Sequence, residues 1–285
     1  MILPVALLCA AMASAQISGV KIVNDIAYRE GSAAWKLDLA MPDTPSATPR
    51  PAVVVIHGGG WRNGDKRTGM WKDLPIEFAK QGYVSVSLNY RFVTEARLPA
   101  CIEDVKCAVR WLRAHAKDYN VDPNRIGAYG NSAGAHLAAM LALAGPNAKL
   151  EGDGPYREHS SAVQAAVISA TPVDFLDWGA PRAGTGNWDN LFGGPPETVM
   201  ERARNSMPLT YVHAGAPPML IVHGNADKTV PISQSEKLAR ALKQAGARNF
   251  MFLIVDGAGH NAFAEGGSVT RGAMLAFFDR HLRPK

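Results

Sequence analysis

One pentapeptide constrains this chain more than any other feature. Gly130-Asn131-Ser132-Ala133-Gly134 lies between the run Arg125–Tyr129 and the Ala/Leu-rich stretch Ala133–Leu143. It fits the pattern G-x-S-x-G, which demands a sharp turn from a strand into a helix, with the serine hydroxyl lifted above the sheet. Such a turn has no space for side chains next to the serine, and this accounts for the glycine on each side. A chain built around it must supply further buried strands for pairing and helices to cover them.

The remaining sequence meets that demand by alternation. Val20–Tyr28 and Trp35–Leu39 read as an antiparallel pair around a turn at Gly31-Ser32. Ala52–Ile56 (AVVVI) is a β-branched run of the kind buried on both sheet faces. Further strands are expected at Tyr83–Leu88, Val163–Ala170, Met219–Val222 and Phe250–Val255, and helices at Lys72–Gln81, Leu98–Asp118, Ser235–Gln244 and Arg271–His281. Strands alternating with helices predict an α/β fold, a mostly parallel sheet covered on both faces. The stretch Thr171–Ala216, rich in Gly, Pro and aromatics, interrupts the alternation. It is expected to form a small cap over the carboxyl edge of the sheet, where open α/β sheets place their sites.

Composition narrows the function classes. At 285 residues, 47% hydrophobic and 19% charged, the chain can bury a large core and is not a disordered segment. Three cysteines do not make a disulfide framework or a cysteine-based zinc ribbon. Cys101 and Cys107 are expected to be packed thiols on one helix. The net charge of +5 is spread out rather than gathered in a basic run, so no nucleic-acid partner is expected. Residues 1–15 read as a secretory signal, with an apolar run and a small-x-small site, Ala13-Ser14-Ala15, before Gln16. This predicts a secreted or periplasmic protein with one domain over residues 16–285. No run reaches the roughly 20 apolar residues that span a bilayer, so no membrane partner is expected.

Ser132 at the turn is the expected nucleophile. It needs a base and an orienting acid. His260, in Gly259-His260-Asn261 after the last strand, is the expected base. His57 and His136 read as structural, His115 and His281 as helix-surface residues, and His223 as at most a neighbour of the site. His159 and His213 fall in loops. Asp227, after the penultimate strand, is the favoured acid, with Asp174 the alternative; Asp256 reads as a strand-end residue. The acyl-transfer oxyanion needs backbone N–H donors. His57-Gly58-Gly59-Gly60-Trp61 supplies a glycine loop after a buried strand, and Gly59, Gly60 and Ala133 are the expected donors. The loop lacks the G-K-[ST] ending of a phosphate loop. No metal and no cofactor are implied. Trp61, Trp178 and Trp188 are candidate substrate contacts.

Read together, the chain order Ser132, Asp227, His260 is that of an α/β-hydrolase. The sequence resembles the bifunctional acetylxylan esterase/feruloyl esterase (BD-FAE) family and related carboxylesterases. The resemblance rests on His57–Trp61 with Asn63-Gly64-Asp65, Asn89-Tyr90-Arg91, Arg110-Trp111-Leu112-Arg113, the run Asp122–Gly127, Ser132-Ala133-Gly134 with His136-Leu137, and Ala226-Asp227. It implies a secreted serine esterase acting on short-acyl or feruloyl esters of a small molecule or an esterified oligosaccharide, as on xylan. A general carboxylesterase, or an amidase or peptidase with the same triad, is the alternative. A noncatalytic binding module would be expected to lack a triad member, and none is missing.

Overall fold

The computed structural model describes residues 17–179 and 188–283. The expected leader, residues 1–15, lies outside the described residues, as does part of the expected cap. Eight strands form one sheet in the order β1-β2-β4-β3-β5-β6-β7-β8. They are β1 (Val20–Ala27), β2 (Lys36–Pro42), β3 (Arg50–Ile56), β4 (Val84–Leu88), β5 (Val121–Asn131), β6 (Ala165–Ser169), β7 (Met219–Gly224) and β8 (Phe250–Val255). Only β2 runs against the others.

The helices are α1 (Met70–Lys80), α2 (Ala100–Ala114), α3 (Ala133–Leu143), α4 (Trp188–Phe192), α5 (Pro196–Asn205), α6 (Ser233–Gln244), α7 (Ala262–Glu265) and α8 (Gly267–Leu282). Successive side chains of a strand face opposite ways, and β3 shows the result. Val54 and Ile56 join the larger core with residues of α2 and α3, whereas Val53 and Val55 join a second core with residues of α1 and α8. Burial on both faces is what a continuous β-branched run encodes. Every residue of α3 except Ala142 is buried. A helix apolar on all sides belongs in the interior, and its alanines let it lie close behind β5.

Several bounds differ from the sequence reading: β5 begins at Val121 rather than Arg125, and α8 at Gly267 rather than Arg271. Helix α2 stops at Ala114 rather than Asp118, because the chain must reverse into β5. Asn120 sits at φ 52, a conformation that asparagine tolerates better than most residues, and the Val121 amide bonds back to the Ala116 carbonyl. The cap stretch also contains α4, α5 and a 3-10 turn over Pro208–Tyr211. The Gly/Pro content of that stretch and the shortness of α4 hid these helices. Cys101 and Cys107 are buried free thiols on α2, and burial pushes both above the usual thiol range. The topology brings the ends of β3, β5, β7 and β8 to one carboxyl edge, where the site is built.

Candidate active site

The turn after β5 holds Ser132 at φ 56, ψ −123, a strained backbone for a residue with a Cβ. The flanking glycines are required sterically. A Cβ on Gly130 would lie 2.2 Å from the Gly134 carbonyl oxygen, and one on Gly134 would lie 2.1 Å from the Ile56 carbonyl oxygen. The elbow therefore presses directly on the end of β3. The Ser132 amide donates to the Ser169 carbonyl at 2.8 Å, which fixes the apex to β6.

The hydroxyl of Ser132 lies 2.9 Å from His260 Nε2, and His260 Nδ1 lies 2.8 Å from Asp227 Oδ2. A carboxylate only accepts, so Nδ1 carries the proton and donates, leaving Nε2 free to accept from the serine. Asp227 is held at its other oxygen by the amides of Thr229 (2.8 Å) and Val230 (3.0 Å). Its carboxylate is fully buried while the His260 ring is partly exposed. Burial alone would raise the Asp227 carboxyl. Hydrogen bonds from His223 and His260, the charge His260 can carry, and the Thr229 amide outweigh burial and hold the group well below the usual carboxylate range.

Asp174 does not meet His260. Its carboxylate accepts from the Leu176 and Asp177 amides and pairs with Lys237 at 3.0 Å. Asp256 accepts from Asn225 at the end of β8. His57 is fully buried, stacks on Tyr90 with centroids 4.5 Å apart, and has a ring nitrogen 2.7 Å from the Gly58 carbonyl. Burial lowers its pKa, opposed in part by that carbonyl and by Asp65. His136 is buried on α3, and desolvation pushes it down to about 4, against the opposing bond to the Ser206 carbonyl. His115 stacks on Trp111, His281 packs on Phe277, His159 faces Glu158 and His213 is exposed. None of these four is bonded to Ser132 or Asp227 in the described contacts.

The glycine loop runs along Ser132. A Cβ on Gly58 would sit 3.4 Å from the Ser132 Cβ. The Asn89-Tyr90 segment anchors the loop: Tyr90 donates to the His57 carbonyl (2.9 Å), Asn89 accepts from the Lys66 amide (2.7 Å) and donates to Asp65 (2.9 Å). Gly59, Gly60, Trp61, Ser132, Trp178 and His260 line one cleft of about 430 Å³. Ala133 is buried beside Ser132 at the start of α3, where helix N–H groups and dipole favour negative charge. Trp61 and Trp178 are mostly buried: Trp61 packs on His136 and Phe175, and Trp178 stacks on Phe175. The Trp188 side chain lies outside the described residues. Among the described residues no group of three or more His, Cys, Asp or Glu is placed to hold a metal, and no helix is long and apolar enough to cross a membrane.

The sequence reads His223 as at most a neighbour of the site, and the structure places it against Asp227. It is fully buried at the end of β7, with Nε2 2.9 Å from the Val230 carbonyl and 3.3 Å from Asp227 Oδ2. The spacing of four between His223 and Asp227 across a strand end was the available signal.

The model of the BD-FAE family matches residues 37–242. Esterase LipQ of Mycobacterium tuberculosis is 32% identical over 263 residues, covering 89% of this chain and 60% of LipQ. This chain thus spans about three-fifths of that relative. A solved structure described as a truncated carbohydrate esterase from gut microbiota superposes with TM-score 0.83 at 28% identity, covering 91% of this chain and 95% of that one. Esterase 2 of Thermogutta terrifontis, solved with propionate bound, has TM-score 0.73 at 29% identity over 94% of this chain and 97% of that one.

Proposed function

The chain belongs to the BD-FAE family of α/β-hydrolases, and on that premise we propose that it is a serine esterase for short-acyl or feruloyl carboxylic esters. The observation that carries this reading is the continuous path from Ser132 Oγ to His260 Nε2 (2.9 Å) and from His260 Nδ1 to Asp227 (2.8 Å), at the floor of a cleft walled by a glycine loop. In the proposed mechanism Ser132 Oγ attacks the ester carbonyl carbon as its proton passes to His260 Nε2. The new oxyanion is met by amides of Gly59, Gly60 and Ala133. Collapse breaks the carbon–oxygen bond of the alcohol, which leaves with the proton from His260. Water, deprotonated by His260, then attacks the acyl-enzyme and releases the acid and free Ser132. Asp227 stays ionised throughout and stabilises the imidazolium.

The substrate we propose is an esterified sugar or oligosaccharide of the xylan type. The similarity to a carbohydrate esterase supports this, as do the aromatic walls Trp61 and Trp178, which suit a small acyl or feruloyl group. The leader-like residues 1–15 support export as a secreted or periplasmic protein. A panel of acetylated xylo-oligosaccharides, methyl ferulate, p-nitrophenyl acetate and acetanilide tests the reading. Higher kcat/KM on acetylated sugars than on the aryl acetate is expected. Preference for the anilide over every ester would make the protein an amidase.

A further inference from the structure

His223 occupies an unusual place for a residue with no step in the mechanism. The ring is fully buried at the end of β7 and is bonded on both nitrogens. Nδ1 faces the Ser235 hydroxyl of α6 at 2.6 Å. Nε2 faces the Val230 carbonyl at 2.9 Å and Asp227 Oδ2 at 3.3 Å. Both neighbours of Nε2 are acceptors, so Nε2 must carry the proton. Nδ1 is bonded to the Ser235 hydroxyl, which holds the other side of the ring.

This position controls Asp227 in two ways. The Nε2–H bond to the Val230 carbonyl pins the turn whose Thr229 and Val230 amides hold Asp227 Oδ1. The same proton faces Oδ2, the oxygen that also receives His260 Nδ1–H. Oδ2 therefore sits between two imidazoles, one buried and fixed, the other partly exposed and facing Ser132. The titratable groups that meet Asp227 in the described contacts are these two histidines; α6 contributes only the neutral Ser235 to the far side of His223.

We propose that His223 is a positioning residue of this active site, a buried Nε2–H donor that aims the Asp227 carboxylate at His260 and moderates its charge. The proposal rests on the esterase reading above. Without that donor, Asp227 Oδ2 carries more uncompensated negative charge, which favours the protonated form of the ring it faces. The turn also loses its bond to Val230. The consequence is a lower kcat with KM little changed, together with an upward move of the acid limb of the kcat/KM profile.

The test uses the full-length enzyme with p-nitrophenyl acetate. Turnover by the wild type and its loss in Ser132→Ala establish the esterase reading separately, so failure there is distinct from failure here. His223→Asn, whose short amide cannot reach the Nε2 position, is expected to lower kcat roughly tenfold, the scale of one hydrogen bond. Its acid limb is expected to rise by about half a pH unit or more. His223→Gln, which can place an N–H near the Nε2 position, is expected to restore most of kcat and return the limb. A folded His223→Asn enzyme with kcat within twofold of wild type and an unmoved limb would overturn the proposal. A measurement on the wild type decides independently of any variant's folding. Imidazole ¹⁵N spectra are expected to show His223 carrying its proton on Nε2 at the pH of the assay, and an Nδ1–H tautomer with a bare Nε2 would overturn it equally.

Discussion

The indole Nε1–H of Trp61 donates to Nδ1 of His136 at 3.2 Å, tying the glycine loop after β3 to the helix that follows Ser132. The other nitrogen, Nε2, lies 2.7 Å from the Ser206 carbonyl and so carries the proton. One buried neutral ring thus joins the loop, α3 and the segment that follows α5.

That arrangement has a pH consequence. The folded-state pKa of His136 is lowered to about 4 by burial, whereas an unfolded histidine titrates near about 6.5. The unfolded chain therefore takes up a proton first as pH falls, and stability is lost between those values rather than gained. The effect is on the order of 3 kcal/mol. Denaturant unfolding at pH 7.5 and 4.5 is expected to show a larger loss in the wild type than in His136→Gln. Parallel losses in the two proteins would mean that His136 is not the group responsible.

The two candidate acids can be ranked. Asp227→Asn removes the acceptor that selects the Nδ1–H form of His260 and is expected to lower kcat by roughly 10⁴. Asp174→Asn weakens a partly exposed contact to Lys237 and two amides, so its effect on kcat is expected to stay within about tenfold. Steady-state kinetics on p-nitrophenyl acetate compares them, and a greater loss from Asp174→Asn would reassign the acid.

Packing around the cleft bears on the acyl length proposed. Phe175 sits between Trp61, His136, Trp178 and Phe192, with centroids 5.3 to 6.4 Å away. This buried cluster backs Trp61 and Trp178, the two aromatics that line the cleft. Each methylene that finds a place gains only about 0.8 kcal/mol, so the gain stops where the wall begins. Acetyl to butyryl esters are expected to be favoured, with kcat/KM falling steeply by octanoyl. Phe175→Ala is expected to shift the preference toward longer chains while costing about 3 to 5 kcal/mol of stability. A wild-type maximum at octanoate or beyond would contradict the short-acyl reading.

Much of this architecture is legible in the residues. The run at Ala52–Ile56 and the elbow at Gly130–Gly134 carry their burial and turn geometry in composition alone, and α3 and β8 begin and end where periodicity and glycine predict. The spatial approach of Ser132, Asp227 and His260 follows from parallel strands ending at one edge. What was hidden depends on contacts across the chain. The cap helices α4 and α5 are short and set among Gly and Pro residues, so the local sequence does not mark them. Trp61 reads as a substrate contact in sequence, yet its N–H is committed to His136, 75 positions away. His223 looked peripheral because its partners, Val230 and Ser235, become neighbours only when the chain turns from β7 into α6.

The central claim is that Ser132 carries the acyl group. The most direct measurement is intact-protein mass after exposure to a fluorophosphonate, read beside ester turnover, for the wild type and Ser132→Ala. The wild type is expected to gain one phosphonyl adduct at Ser132 and lose activity in step. Ser132→Ala, folded as judged by thermal melting, is expected to take no adduct and to have kcat lower by on the order of 10⁴ to 10⁶. A folded Ser132→Ala protein that still turns over p-nitrophenyl acetate at near wild-type rate, or that is labelled at another residue, would contradict it.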